Sequence, residues 1–400
     1  MDDALTSIAK HATAERDGAI LSAIVGAIYA FRVCLTFLWF RDQPAVGTAM
    51  TVGLSLTLLI AALAYKALVW PTHSGLSPTP RPLRWIYVYL LLAVVSLAWT
   101  TTQSIPAALA YWAAMAADVL AVAVLLQGEP EAETIALMKG FVIGAAVVAV
   151  ISWCAPVMDD LRLGDENFLH PNAIGFVFAI ATLLALRLAK EGSRWKWLGA
   201  MLAITLLRTL SKACIVAFLA AAIFYLLRDA KISRQTKVKI GIITNGILIS
   251  FWGLLEAYLD MYAQGSRAET LTGRTFIWAE SFAIAVEKPW LGHGFYSFRW
   301  VVPPFGDFEA WQAHNEFLQQ FFSYGVVGVV VVAILYSVFL LQARRSASCD
   351  LKTLAYALLI FALIRGLVDT ERFDLSFPLW LMAMFALSLP VGASTLLPNP

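Results

Sequence analysis

The sequence predicts an all-α membrane protein of about 12 transmembrane helices, with one long periplasmic loop containing short helices. Three observations predict it: an excess of apolar residues, their grouping into long runs, and the one-sided placement of lysine and arginine. The 400 residues are 60% hydrophobic and 14% charged, with a mean hydropathy of +0.74. A soluble domain is nearer half apolar and a quarter charged. The excess falls in runs of roughly 17–25 residues, the length that crosses a hydrocarbon core of about 30 Å. A backbone in lipid must satisfy its own hydrogen bonds, so runs of this length are helices. The net charge of +2 points to neither nucleic acid nor an acidic soluble partner.

The expected crossings are 19–40, 46–70, 83–101, 104–126, 135–156, 171–189, 195–209, 211–228, 239–260, 316–341, 351–368 and 376–394. The first apolar run lacks a small-residue cleavage pattern and reads as a membrane helix, not a removed signal. Arg187, Lys190, Arg194 and Lys196 form one basic cluster, and Arg228, Lys231, Arg234, Lys237 and Lys239 another. Both belong in cytoplasmic loops, which requires two crossings between them. Residues 195–228 are therefore expected as a tight hairpin, with Arg208 to Lys212 at its outer tip and Ser211 capping the second helix. With both termini inside, cytoplasmic segments hold 18 Lys and Arg against six in the short outer loops.

This divides the chain into a cytoplasmic segment 1–18, helices one to nine over 19–260, a long periplasmic loop 261–313, helices ten to twelve over 314–394, and a cytoplasmic tail 395–400. Long loops in compact proteins are usually functional or disordered. The Trp, Phe and Gly content of this one argues for order. Cys34, Cys154, Cys214 and Cys349 show no paired spacing and read as small core residues.

Chemistry gathers on the outer side. His170, His293 and His314 fall there, with Arg208, Lys212, Arg274, Arg299 and Arg365. Histidines and cations at a membrane surface suit an anionic ligand, such as a lipid-linked diphosphate. Lys212 falls in the first turn of a helix, where the dipole disfavours a cation by about 0.3–1 kcal/mol; a bound phosphate would turn that cost into a site. Arg274 opens a helix of about fourteen residues, ended by Pro289, whose Phe276, Ile277, Phe282 and Ile284 suit the membrane interface. Arginine can hold two phosphate oxygens at once.

His314 opens the tenth crossing. A helix N-terminus disfavours imidazolium, and a neutral histidine is a competent general base. Asn315 or Glu316 is placed to orient it or to cap the helix. No His-x-x-x-His or related spacing supports a metal, the first outer loop offers only Asp42, and no cofactor is expected. The outer carboxylates Asp165, Glu166, Asp307, Glu309, Asp369 and Glu371 read as solvated loop charges.

Several of these residues form a recognisable series. Arg274-Thr275 with Trp278, then Pro289-Trp290-Leu291-Gly292-His293-Gly294, then His314-Asn315-Glu316-Phe317-Leu318-Gln319 with Gly325 and Gly328, resemble the signature of the O-antigen ligase and polymerase superfamily. His170-Pro171-Asn172 with Gly175, and Ser211-Lys212, resemble two further elements. The resemblance covers about residues 160–340. It implies metal-independent, inverting glycosyl transfer at the periplasmic face of the bacterial inner membrane. Donor and acceptor would be glycans on undecaprenyl diphosphate, and a chain-length regulator would be a further partner. By the same resemblance, His314 would be the base, and Arg274 and Lys212 would stabilise the departing diphosphate. His170 and His293 match motif positions without an assigned role. Arg208, Arg299 and Arg365 are added, with Asn315, as substrate contacts on position alone. Lysine at position 212, where the ligases usually carry arginine, is nearer the exopolysaccharide polymerase pattern. A ligase acting on lipid A-core or protein is the sibling reading. A lipid-glycan transporter fits the helix count but not the one-sided polar cluster or the lack of a repeat, and a structural subunit would not need a base and two cations.

Overall fold

The computed structural model describes residues 2–69, 79–127, 130–155, 162–165, 168–229, 233–239, 241–242, 246, 271–305, 309–371 and 373–389. The regular elements among them are helices: α1 (Asp2–Phe31), α2 (Leu35–Trp39), α3 (Pro44–Val69), α4 (Arg81–Val95), α5 (Ile105–Leu125), α6 (Pro130–Cys154), α7 (Pro171–Leu188), α8 (Ser193–Arg208), α9 (Lys212–Arg228), α10 (Leu271–Ala285), α11 (Phe298–Val301), α12 (Glu316–Arg345), α13 (Cys349–Gly366) and α14 (Leu379–Ser388).

Seven helices among the described residues are long and apolar enough to cross a membrane: Asp17–Trp39, Pro44–Leu68, Arg81–Ala98, Ile105–Leu125, Pro130–Cys154, Pro171–Leu188 and Glu316–Arg345. The chain is a multi-pass membrane protein. Four more expected crossings coincide with shorter or more polar helices, α8, α9, α13 and α14. Of the expected ninth crossing, 239–260, only 239, 241–242 and 246 are described. α1 runs unbroken from Asp2, and the apolar stretch long enough to cross a membrane begins at Asp17.

Local chemistry sets many helix starts. The Ser104 hydroxyl accepts from Ala107 N at 3.4 Å, with proline in the first turn of α5. Such a cap satisfies one of the orphan donors of a helix start. Small residues then decide which helices touch. A Cβ on Gly140 or Gly144 of α6 would stand 1.8 or 2.2 Å from the carbonyls of Ala23 and Ala27 on α1. Within lipid, close backbone approach of this kind drives association. The short helix α14 is buried along nearly its whole length, with α4, α5 and α6 packed around it. Apolar side chains such as Ile60, Leu91, Val150 and Val216 remain exposed on the outside of the bundle, as a lipid-facing surface requires.

The long loop is anchored at a break in α12. Gly325 has φ +64° and ψ −156°, which is non-helical. The segment after Pro289 lies alongside it. His293 N donates to Phe322 O at 2.9 Å, Gly294 N to Ser323 O at 2.8 Å, and Val326 N to Pro289 O at 2.8 Å. Irregular backbone at membrane depth is tolerated only where protein supplies its partners, and here the loop supplies them. The same segment reaches the end of α4: Thr101 N donates to His293 O at 3.0 Å and the Trp99 indole to Leu291 O at 3.0 Å. The loop also has a small core of its own, in which Ile277, Ala285, Phe298, Val302, Ala310 and Ala313 surround Phe322 of α12. Of the four residues expected at the membrane interface, Phe276 and Phe282 are exposed, whereas Ile277 is buried in this core and Ile284 packs against it.

Candidate functional site

His314 stands directly before α12 in a left-handed conformation, φ +48°. Its Nδ1 lies 3.0 Å from Asp369 Oδ1, on the loop after α13. The Asp369 side chain is 2% exposed, that of His314 20%. Burial alone would raise the Asp369 pKa. Arg365 first, then His314 and Arg274, overcome this and hold it well below the usual carboxylate range. Arg365 Nη2 lies 3.5 Å from Asp369 and 2.7 Å from Glu371, with Phe176 of α7 beneath its guanidinium. The histidine is thus backed by a carboxylate, and the carboxylate by a buried arginine. With Nδ1 turned to Asp369, Nε2 is the nitrogen left for a substrate.

Around this dyad the cations converge. Arg274, in the first turn of α10, donates through Nη1 to Val368 O, the carbonyl next to Asp369. Lys212 is the first residue of α9, and Arg162 and Arg274 both lie close enough to act on it electrostatically. Arg162 Nη2 donates to Asn172 Oδ1 at 3.2 Å, and Ser211 Oγ donates to the same oxygen at 2.8 Å. The His-Pro-Asn segment therefore ties the start of α7 to the α8–α9 break: His170 Nδ1 accepts from Asn172 N, and Asn172 holds Ser211. Arg365 and Arg274 act on Asp369, Arg365 also holds Glu371, and Arg162 and Arg274 crowd Lys212 with like charge.

Several sequence expectations are corrected. Asp369 and Glu371 are not solvated loop charges but partners of His314 and Arg365. Neither Asn315 nor Glu316 orients His314. Asn315 Oδ1 accepts from Leu318 N at 3.0 Å and its Nδ2 donates to Leu367 O at 2.9 Å, so the side chain is spent on the cap and on α13. Glu316 is buried, accepting from Tyr336 at 2.6 Å and from Ser376 N. His293 packs inside the loop, stacked on Phe322 with Nε2 3.1 Å from Ile284 O; burial lowers its pKa, and it faces no ligand space. Arg365 is too buried to meet a substrate directly. Ser211 sits at the N-cap without capping, because its hydroxyl serves Asn172. The hairpin tip is a break, but α8 packs along α7 and α9 along α13 instead of pairing with each other. Arg208 closes α8 at this break, its carbonyl accepting from Leu163 N. Cys154 and Cys349 are exposed, not core. Glu166 and Asp307 lie outside the described residues.

A small, partly open cleft reaches Glu371, the partner of Arg365. Its lining includes Gln319, Gln320 and Ser323 from the first turns of α12, Tyr296, Arg299 and Trp311 from the loop, and Glu371, Phe373 and Asp374. Arg299 lies 3.8 Å over the Trp311 ring and pairs with Glu309 at 3.3 Å. The sequence singled out His314, Arg274 and Lys212, and placed Asn172 in a motif element. It read Asp369 as a solvated charge and gave Arg162 no role, although an Asp four residues after Arg365 is the spacing of a helical ion pair.

Residues 197–333 match the O-antigen ligase family. The chain is also 23% identical over 303 residues to the exopolysaccharide production protein ExoQ of Rhizobium meliloti (strain 1021). That alignment covers 66% of each chain, so this chain spans about two thirds of the relative's length.

Proposed function

For a chain carrying the matched segment of the O-antigen ligase superfamily, we propose glycosyl transfer between lipid-linked glycans, with His314 as base and Asp369 behind it. The observation that carries the reading is the His314–Asp369 dyad at 3.0 Å, with Arg274 acting on both Asp369 and Lys212. The acceptor sugar hydroxyl attacks the anomeric carbon of the donor. Its proton passes to His314 Nε2, and Asp369 stabilises the imidazolium that forms. The bond from the anomeric carbon to the diphosphate oxygen breaks with inversion, and the electron pair leaves with the diphosphate. Arg274 and Lys212, with Arg162 close by, stabilise that developing charge. The Lys212 position at a helix N-terminus adds oriented backbone donors.

In this reading the enzyme is a polymerase that joins undecaprenyl-diphosphate-linked repeat units at the periplasmic face of the inner membrane. The similarity to an exopolysaccharide production protein supports the polymerase; the family description supports a ligase, which shares the donor and differs in the acceptor. The deciding experiment supplies purified protein in nanodiscs with one lipid-linked repeat unit, a chelator and no other acceptor. A ladder of longer lipid-linked glycans is expected, and His314→Ala should abolish it while the variant still inserts and folds. A ladder that persists in His314→Ala removes the base assignment. No ladder until lipid A-core is added converts the reading to the ligase.

A further inference from the structure

We propose that the cleft along the first turns of α12 is a subsite for an uncharged sugar ring, the ring that carries the attacking hydroxyl. The ligand's identity as a glycan acceptor rests on the glycosyl-transfer reading; the chemistry of the cleft stands apart from it.

The cleft and the cationic cluster are two halves of one outer surface with opposite character. They meet at Glu371, which lines the cleft while accepting from Arg365 at 2.7 Å, and Arg365 in turn holds Asp369. A group seated in the cleft therefore reaches Glu371, which is joined to His314 through Arg365 and Asp369. The aromatic part of the lining is built, not incidental. Tyr296 stacks on Tyr111 and Phe373 with centroids 5.3 Å apart in both pairs, and Tyr111 lies 4.1 Å from Phe373. Tyr296 holds a left-handed φ of +64°, a cost that persists where surrounding structure demands the position. Aromatic faces present a flat apolar wall to the C–H face of a pyranose, and polar groups at the rim read its hydroxyls. Gln320 spends its carbonyl on Tyr89 at 3.1 Å, which leaves its amide nitrogen for the cleft.

Charge selects among sugars. Arg299, the one cation among the described lining residues, is already paired with Glu309 and laid on Trp311. Glu371 has its partner in Arg365. Asp374 is pushed up to about 7 by burial, even though Leu375 N and Leu379 N donate to it; Glu371 and Asp118 add to the rise. A uronate or other acidic sugar would bring a further carboxylate to a wall that offers it no uncommitted cation. A neutral ring meets donors and acceptors only.

The test is saturation-transfer NMR on the full-length protein in nanodiscs, with methyl β-glucopyranoside, methyl β-galactopyranoside and methyl N-acetyl-β-glucosaminide against methyl glucuronide and galacturonate. At least one neutral glycoside should receive saturation that falls several-fold in Trp311→Ala and in Gln320→Ala. Trp311 is partly exposed and Gln320 buried, so Trp311→Ala is the variant that tests the subsite without disturbing the packing of α12. The uronides should receive little. Equal or stronger transfer to the uronides, neutral binding insensitive to Trp311→Ala, or no transfer to any probe overturns the proposal. Sugar binding without any glycan ladder would remove the transferase reading and leave the subsite. A ladder without such binding would do the reverse.

Discussion

At the scale of single residues, the site depends on what stands behind His314. Its left-handed backbone and the buried Asp369 fix the ring, and strained residues of this kind cluster where geometry matters to function. Asp369→Asn keeps the size of the side chain but cannot stabilise an imidazolium. Glycan transfer should fall by roughly 10²–10⁴-fold, the range of a lost general-base contribution, with donor binding little changed in a pull-down on labelled lipid-linked glycan. Lys212→Ala should cost about 10²–10³-fold in turnover, as for one oxyanion-type contact, and Lys212→Arg should recover most of it. Asp374 offers a pH test. Its folded value of about 7 lies above the ordinary 3.8. Below about pH 4 it is protonated folded or unfolded; as pH rises from about 4 to 7 the unfolded chain ionises first, so stability falls across that window. Asp374→Asn should therefore raise the thermal midpoint in detergent at pH 8 and leave it nearly unchanged at pH 4. Asp369 has the opposite sign: its depressed pKa contributes stability above the ordinary value that is lost as pH falls.

At the scale of elements, the decisive feature is the loop seated in the break of α12. A Cβ on Gly325 would stand 2.3 Å from the Trp290 carbonyl carbon, and one on Gly292 would stand 2.5 Å from Phe322 O. Both residues also need positive φ, +64° and +62°. Gly325→Ala should lower the thermal midpoint, with a cost of at least about 1–3 kcal/mol from backbone strain alone. It should also reduce transfer even in the folded fraction, because His314 heads the same helix. A midpoint equal to that of the parent would mean the loop can detach from α12 without loss. The Pro-Trp-Leu-Gly-His-Gly motif and the glycine after the His-Asn motif are thus two sides of one contact. Neither needs to touch a substrate to matter.

At the scale of the whole molecule, an ion pair with a buried carboxylate and a half-buried arginine joins α5 to the turn between α1 and α2. Arg32, in the 3₁₀ turn between α1 and α2, pairs with Asp118 of α5, whose carbonyl also accepts from Tyr29 at 3.0 Å. Removing one partner leaves an uncompensated charge in the bundle, whereas replacing both with apolar residues is often neutral. Arg32→Met should destabilise the protein in a detergent melt, and adding Asp118→Leu should restore most of the loss. If the double variant melts as low as the single one, the pair holds the bundle by more than its charge balance.

What the sequence by itself determined is whatever is local along the chain. Run length and hydropathy set the helices, proline and the basic clusters set their ends, and the glycines after 289 and at 325 mark backbone that cannot be helical. His314, Arg274 and Lys212 were legible because each sits at a helix start, where its chemistry is set by its neighbours in sequence. What only the tertiary structure decided is which polar groups lose water and whom they meet. Asp369 is 55 residues from His314, and its spacing from Arg365 is the one local hint that it is not a solvated acid. His293, Asn315 and Arg365 have the residue types of ligand contacts, yet packing places them inside the loop, on a helix cap and beneath the dyad. The cost of burying a charge is settled by its partners, and those are brought together only when the helices pack.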